Sequence, residues 1–323
     1  MKKISYDPNN LSDFNREWLT HKKCREWWYA TGILFDQEQN MYSYQYTMLS
    51  LCFGPATLRS GMIALTDYKN KRHYYLQDPS FLPGKAVINQ KEASYKGVCT
   101  CVKKEKEIEI HLQHSAFDLQ LHADYGKGAF WHCDNGKLQM GIPREQETTL
   151  YYSYTNMPTT AILTLNGKKI PLTGKTWFDR QGGTYNITNY QTHWEWFSLR
   201  FFDDEEMMLF TFPQDDYYDG TYITKNGQRS RLNDYKLTCT DTTVFNGLTW
   251  GSGWRLETSH KEKEYTIEPI QEGHINFAYF EELCYIKNQA GEIVGYAFAE
   301  LLPGVRNDLK SLAHANLFKR VEI

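Results

Sequence analysis

Short stretches of alternating large and small side chains, broken by a turn every ten residues or so, run through almost the whole chain. In MYSYQYTML (41–49), Tyr42, Tyr44, Tyr46 and Met48 fall on one face and Ser43, Gln45 and Thr47 on the other. EIEIHLQH (107–114), AILTLNGKKIPLTG (161–174, with an Asn-Gly turn), EMMLFTF (206–212) and ELCYIKNQAGEIVGYAFAEL (282–301) repeat the pattern. A period of two is the signature of strands, and strands of this length and spacing build antiparallel sandwiches or barrels. The aromatic content of 15% supports this, because bulky flat side chains suit a pleated, half-buried surface. Helical periodicity is confined to residues 10–24, with a cap expected at Ser12 or Asp13, and to residues 306–320. The fold expected is all-β, with short helices at the termini.

An internal echo suggests two units. EWWYATGILFD (26–36) and WEWFSLRFFDD (194–204) lie 168 residues apart, and an ungapped match puts Trp28-Tyr29 on Trp196-Phe197 and Asp36 on Asp204. Together with the length of 323 residues, this predicts two β domains in tandem, 1–168 and 169–323, with the boundary near Leu165–Gly174. A cleft between such domains is a favoured place for a small ligand.

Several functional classes are excluded by composition. The net charge is −3 with acids and bases interspersed, so no basic stripe points to nucleic acid. No run approaches the apolar length of a membrane-spanning helix, and stable membrane insertion is not expected. The N-terminal MKKISYDPNN has no apolar run after its lysines. The seven cysteines are scattered without a C-x-x-C pair, as expected of reduced thiols. The reading is a cytoplasmic protein. The ten histidines show no zinc spacing, and no Walker, dinucleotide or G-x-S-x-G motif occurs. No metal and no cofactor are expected.

The chemistry-bearing candidates cluster around two motifs. In GKTWFDRQGG (174–183), Asp179 sits at a strand end among aromatics. It is either a turn residue that pairs with Arg180, or a carboxyl whose charged form is disfavoured by burial and which can donate a proton near neutral pH. Pairing with Arg180 would keep it charged and defeat that role. Trp177, Tyr185, His193 and Trp196 are candidate wall residues, with Phe178 and Trp194 beside them, and aromatic faces can stabilise a developing cation. Glu26, ahead of Trp27-Trp28-Tyr29, is either a second buried functional carboxylate or a solvated edge charge. Glu195 and Glu281 carry the same ambiguity. Trp28 and Tyr46 are candidates for pocket lining, although sheet packing alone would account for the tyrosines. Arg180 and Gln181 are candidate polar groups that orient a ligand.

REWWYATGIL, YSYQYTML, GMIALTDYKNKRHYY, LTGKTWFDRQGG, HWEWFSLRFFDDEEMMLFTF and AYFEELCYI followed by GEIVGYAFAEL succeed one another across about residues 20–302. In this order they resemble the tandem-lipocalin family of carotenoid 1,2-hydratases and hydroxyneurosporene synthases, which extends to kievitone-type hydratases and fungal Diels–Alder cyclases. The resemblance implies two lipocalin-like barrels, an apolar pocket near their junction, and cofactor-free hydration, isomerisation or cyclisation of an unsaturated hydrophobic molecule such as a polyene, terpenoid or polyketide. It gives Asp179 the role of Brønsted acid, with Arg180 standing where the hydratase pattern often has His. The alternative is a non-catalytic carrier of a lipophilic ligand.

Overall fold

The computed structural model describes residues 3–7, 9, 13–141, 147–186, 193–271, 276, 279–315, 317 and 319–323. The fold is all-β, with two curled antiparallel sheets in the tandem lipocalin-like arrangement. Among the described residues the first sheet has 14 strands and the second 9. In the first, Arg25–Phe35 is the pivot, hydrogen-bonded to Met41–Phe53 on one side and to Lys168–Thr184 on the other. Ala56–Asp67 and Arg72–Ser80 continue the first side; Thr148–Leu165 and Phe117–Asp124 continue the second. The sheet curls far enough for Ala93–Tyr95 to meet Ala56–Asp67, where a Cβ on Gly61 would lie 2.8 Å from that of Tyr95.

The second sheet has the same local plan. Glu195–Phe201 pairs with its hairpin partner Glu206–Phe212 and with the last long strand, Ile293–Leu301, which in turn pairs with Phe280–Lys287. The echo strands therefore hold equivalent places in their sheets. Their faces do not match in the ungapped alignment: Trp28 packs into its own barrel, whereas Trp196 packs between the sheets. Side chains alternate sides at every residue, so a one-residue slip exchanges the faces. Matching Trp27 to Trp196 and Trp28 to Phe197 restores the correspondence.

Lys168–Thr184 belongs wholly to the first sheet, and the change of sheet comes between Thr184 and Glu195, later than the expected boundary. Leu165 and Lys168 are joined by a tight turn in which Asn166 and Gly167 both have positive φ, the conformation an Asn-Gly pair adopts most readily. Near this turn the hairpin alternates buried and exposed residues. From Thr176 to Gly183 every residue is buried, because the barrel core covers one face and the second sheet the other.

Both expected helices are shorter than their sequence pattern. The first is Phe14–Glu17, with the Asp13 carboxylate accepting from Arg16 N at 2.9 Å; Ser12 and residues 10–11 lie outside the described residues. It ends because the next carbonyls are taken by side chains from the barrel. Trp18 O accepts from the Trp28 indole, and Leu19 O from Arg180. The second is Leu309–Ala315. After it, Val321–Glu322 returns to the first sheet and pairs with Arg72–Ser80.

Candidate active site

The register of the first sheet sets the site. Ser153, Asp179, Tyr29, Thr47 and Met62 are successive cross-strand partners, so their side chains form one row on one face. That face looks away from the barrel core and packs against the second sheet, joined by Trp27, Tyr151 and Trp177 from neighbouring rows. The second sheet contributes Trp196, Phe210, Leu283 and Phe298, with Trp194 at the edge. The junction is mostly aromatic: Trp27 stacks on Trp194 at 5.5 Å, and Trp196 stands edge-on to Tyr29 at 5.6 Å and to Trp177 at 6.2 Å.

Asp179 lies in this layer and is 3% exposed. Trp177 Nε1 donates to its Oδ1 at 2.6 Å, Tyr151 OH to its Oδ2 at 3.0 Å, and Ser153 Oγ to its Oδ1. Burial pushes the carboxyl up to about 7; the three donors and the Arg200 cation pull the other way and only partly offset it. Each donor is itself held. Tyr151 OH accepts from Trp196 Nε1 at 3.0 Å, and Ser153 Oγ lies 2.6 Å from Nε2 of the buried His132. Burial, reinforced by the Arg229 charge, lowers His132 to about 3, so its ring is neutral. Because Ser153 gives its proton to Asp179, the network assigns the His132 proton to Nε2. The chain His132–Ser153–Asp179 thus runs across the Thr148–Leu165 and Lys168–Thr184 strands.

More titratable groups reach the junction from the second sheet. Glu300 is the cross-strand partner of both Trp196 and Glu281. Burial raises it to about 7; the Trp194 indole, donating at 2.9 Å, lowers it and the Asp179 charge adds to the rise. Tyr29 OH donates to Glu281, which burial and the neighbouring Glu300 charge hold well above the carboxylate range. Arg200 is 8% exposed, hydrogen-bonds Thr31 Oγ1 at 2.5 Å, lies over the rings of Trp177 and Phe298, and is lowered by burial to about 10. The Arg200 cation therefore acts on two buried carboxyls, Asp179 and Glu281, whereas Glu300 sits at the half-buried margin of the layer.

A cavity of about 80 Å³ opens beside Tyr29. Trp27, Thr47, Leu49, Met62, Tyr185, Trp194, Tyr279, Glu300 and Leu302 line it with Tyr29; Asp179 stands in the adjoining layer rather than in the lining. That volume holds a few waters or the end of a chain, well short of the roughly 300–1,000 Å³ of a site for a drug-sized ligand. Binding a larger molecule requires the lining side chains to shift. A wider groove of about 860 Å³, bordered by Asp13, Arg16, Lys91 and Lys103–Glu105, lies on the surface without any of these buried acids. On an outer face, Glu107, Glu109 and His122 bring ligand atoms within 4.8 Å of one another, but Lys104 already pairs with Glu109 at 3.2 Å.

The profile of the AttH-like family matches residues 5–304. The chain belongs to the AttH-like family. Among solved structures it is similar to one described as an AttH from Nitrosomonas europaea, with a TM-score of 0.81 and 18% identity, over 93% of this chain and 99% of that one. It is also similar to kievitone hydratase from Nectria haematococca, with a TM-score of 0.67 and 17% identity, over 86% and 88% of the two chains. At these identities the likeness establishes a shared fold. Comparison with curated proteins gave no match. Among the described residues of this AttH-like chain, no helix is long and apolar enough to cross a membrane.

Nine of the ten residues anticipated for the site fall into two groups, with His193 in neither. Asp179, Trp177, Gln181, Tyr185 and Trp196 lie at the junction: Tyr185 lines the cavity, and Gln181 Nε2 is held by Thr149 Oγ1 at 2.8 Å. Glu26, Trp28, Tyr46 and Arg180 lie on the other side of the sheet. Arg180 pairs with Glu26 at 2.6 Å rather than with Asp179, stacks 4.1 Å above the Trp28 ring, and hydrogen-bonds Leu19 O and Gln181 O. His21 bridges Glu26 and Glu17 in the same buried cluster; burial lowers His21, but its bonds to the two carboxylates more than restore it. Tyr46 packs in the barrel and donates to Ala93 O at 2.5 Å. His193 accepts from Gly304 N at 2.8 Å. Glycines 182 and 183 follow from close approach: a Cβ would collide with Glu26 Cβ at the first and with Thr148 O at the second.

The residues not anticipated are Tyr29, His132, Tyr151, Ser153, Arg200 and Glu300. Tyr151 and Ser153 show period two in TTLYYSYT (148–155), the spacing that puts both on the Asp179 face once the strands are paired. Nothing local distinguishes His132 or Glu300.

Proposed function

We propose that the junction site carries out cofactor-free acid–base chemistry on an unsaturated hydrophobic small molecule, as a hydratase, isomerase or cyclase, with Asp179 as the acid. The observation that carries this reading is a carboxyl held at about 7 by burial, inside an aromatic layer and one row from a cavity. A protonated Asp179 can give its proton to an alkene carbon, and the more substituted carbon becomes the cation. Trp177 and Trp196 belong to that layer, and an aromatic face turned toward the cation favours it by about 1–2 kcal/mol when water is excluded. Tyr151, Ser153 and Trp177 then solvate the Asp179 carboxylate through bonds already in place, so little reorganisation accompanies the charge. Water captures the cation in a hydratase; loss of a proton or ring closure ends the reaction in an isomerase or cyclase.

The fold shared with kievitone hydratase supports the hydratase branch as the first to test. Prenylated phenols and linear isoprenoids are offered in H₂¹⁸O, and products are read by mass spectrometry. Turnover with ¹⁸O incorporation, lowered at least about 10²-fold in Asp179→Asn, supports the reading. Tight binding without product in the wild-type protein, retained in Asp179→Asn, would identify a carrier instead.

A further inference from the structure

Addition of water to an alkene needs a group to give a proton and another to receive the one water sheds. Among the described residues, Glu300 is the carboxyl that lines the junction cavity. It stands on the sheet opposite Asp179, linked through its cross-strand neighbour Trp196, whose indole donates to Tyr151 OH, which donates to Asp179. Tyr29 closes the other side. It lines the cavity, is the strand partner of Asp179, and bonds Glu281 next to Glu300. Glu281 Oε2 is buried and has no hydrogen-bond partner among the described residues. Trp194 fixes the Glu300 carboxyl through Oε1.

We propose that Glu300 is the second catalytic group, the base that takes a proton from water while Asp179, on the facing sheet, gives one to the substrate. This deepens the reading above and rests on it. The alkene π pair takes the Asp179 proton, leaving a carbocation and an Asp179 carboxylate. A water lone pair forms the C–O bond, and the proton this water sheds goes to the Glu300 carboxylate. The net change is one water added across one C=C bond, and transfer of the proton from Glu300 back to Asp179 resets the pair. The starting state holds one proton between the two carboxyls. The other titratable or charged groups facing them are Glu281, Arg200, Tyr29, Tyr151, Tyr185, Tyr279 and the neutral His132.

Protein labelled with ¹³C at the Asp and Glu carboxyl carbons tests this without a substrate, with Glu300→Gln and Asp179→Asn identifying the two signals. Glu300 should titrate near neutral pH, and its midpoint should fall by about half a unit or more in Asp179→Asn, as expected when a like charge is removed. In the ¹⁸O assay, Glu300→Gln should lose about 10²-fold in kcat with KM little changed, and should lose the acidic limb of the pH profile. A Glu300 ionised throughout pH 5–9, a midpoint unmoved by Asp179→Asn, or Glu300→Gln turnover within twofold of wild type would each overturn the proposal. If no alkene reacts, the hydratase reading falls, and the titration still decides whether the two carboxyls form a pair.

Discussion

Replacing Arg180 by Met removes a buried cation while keeping an unbranched apolar stem over Trp28. Glu26 is 0% exposed, and the guanidinium gives it a 2.6 Å bond. The same group serves Leu19 O and Gln181 O at 2.8 Å each. Without it Glu26 keeps only the His21 backbone and ring donors, so an uncompensated charge stays in the interior beside two stranded carbonyls. Breaking one side of such a pair costs about 3–5 kcal/mol. Replacing both partners, Glu26→Gln with Arg180→Met, removes the charge as well and should cost about 1–3 kcal/mol. Urea unfolding followed by circular dichroism measures both. Because Arg180 and Asp179 lie on opposite faces, Arg180→Met should also leave the Asp179 carboxyl titrating near 7. A loss below about 1 kcal/mol in the single variant, or a displaced Asp179 titration, would refute the separation of a structural ion cluster from the junction site.

The Asp179 carboxyl is raised from 3.8 to about 7, so the folded state holds more protons than the unfolded one between these values. Its contribution is present below pH 3.8 and is lost as pH rises through 7; stability measured across pH 4–8 should fall less in Asp179→Asn than in wild type, by up to about 4 kcal/mol. Tyr151→Phe withdraws a donor from Asp179 and strands the Trp196 indole, which should cost about 1–3 kcal/mol in urea and move the ¹³C midpoint of Asp179 upward. Gly183→Ala forces a Cβ onto the Thr148 carbonyl and should cost about 1–3 kcal/mol, seen as a lower unfolding midpoint, whereas Gly247→Ala, with open space but positive φ, reports backbone strain alone.

Much of the architecture was legible in local patterns. Alternation identified the strands, Asn166-Gly167 marked a turn, and the aromatic echo located two strands that hold equivalent places in two sheets. Trp177, Asp179 and Gln181 are separated by two residues each, so their shared face follows from the strand period alone. By the same rule Arg180 was already turned away from Asp179, and the sequence neighbourhood that suggested a pair between them was misleading. Helix lengths were overestimated because local periodicity does not register competitors for backbone carbonyls: Arg180 and Trp28, distant in sequence, take those of Leu19 and Trp18.

Alternation tells inside from outside only when one face of a strand meets water. REWWYATGILF is buried on both faces from Glu26 to Leu34, and WFDRQGG is buried throughout. Large side chains on both faces therefore look alike in sequence, and pairing alone separates Glu26, Trp28 and Arg180 in the barrel from Trp27, Tyr29 and Asp179 at the junction. The amino-acid sequence by itself determined an all-β tandem fold and a Trp-x-Asp face with acid potential. The tertiary structure decided what that acid meets, because Tyr151, Ser153, His132 and Glu300 reach it only through strand register and the packing of one sheet on the other.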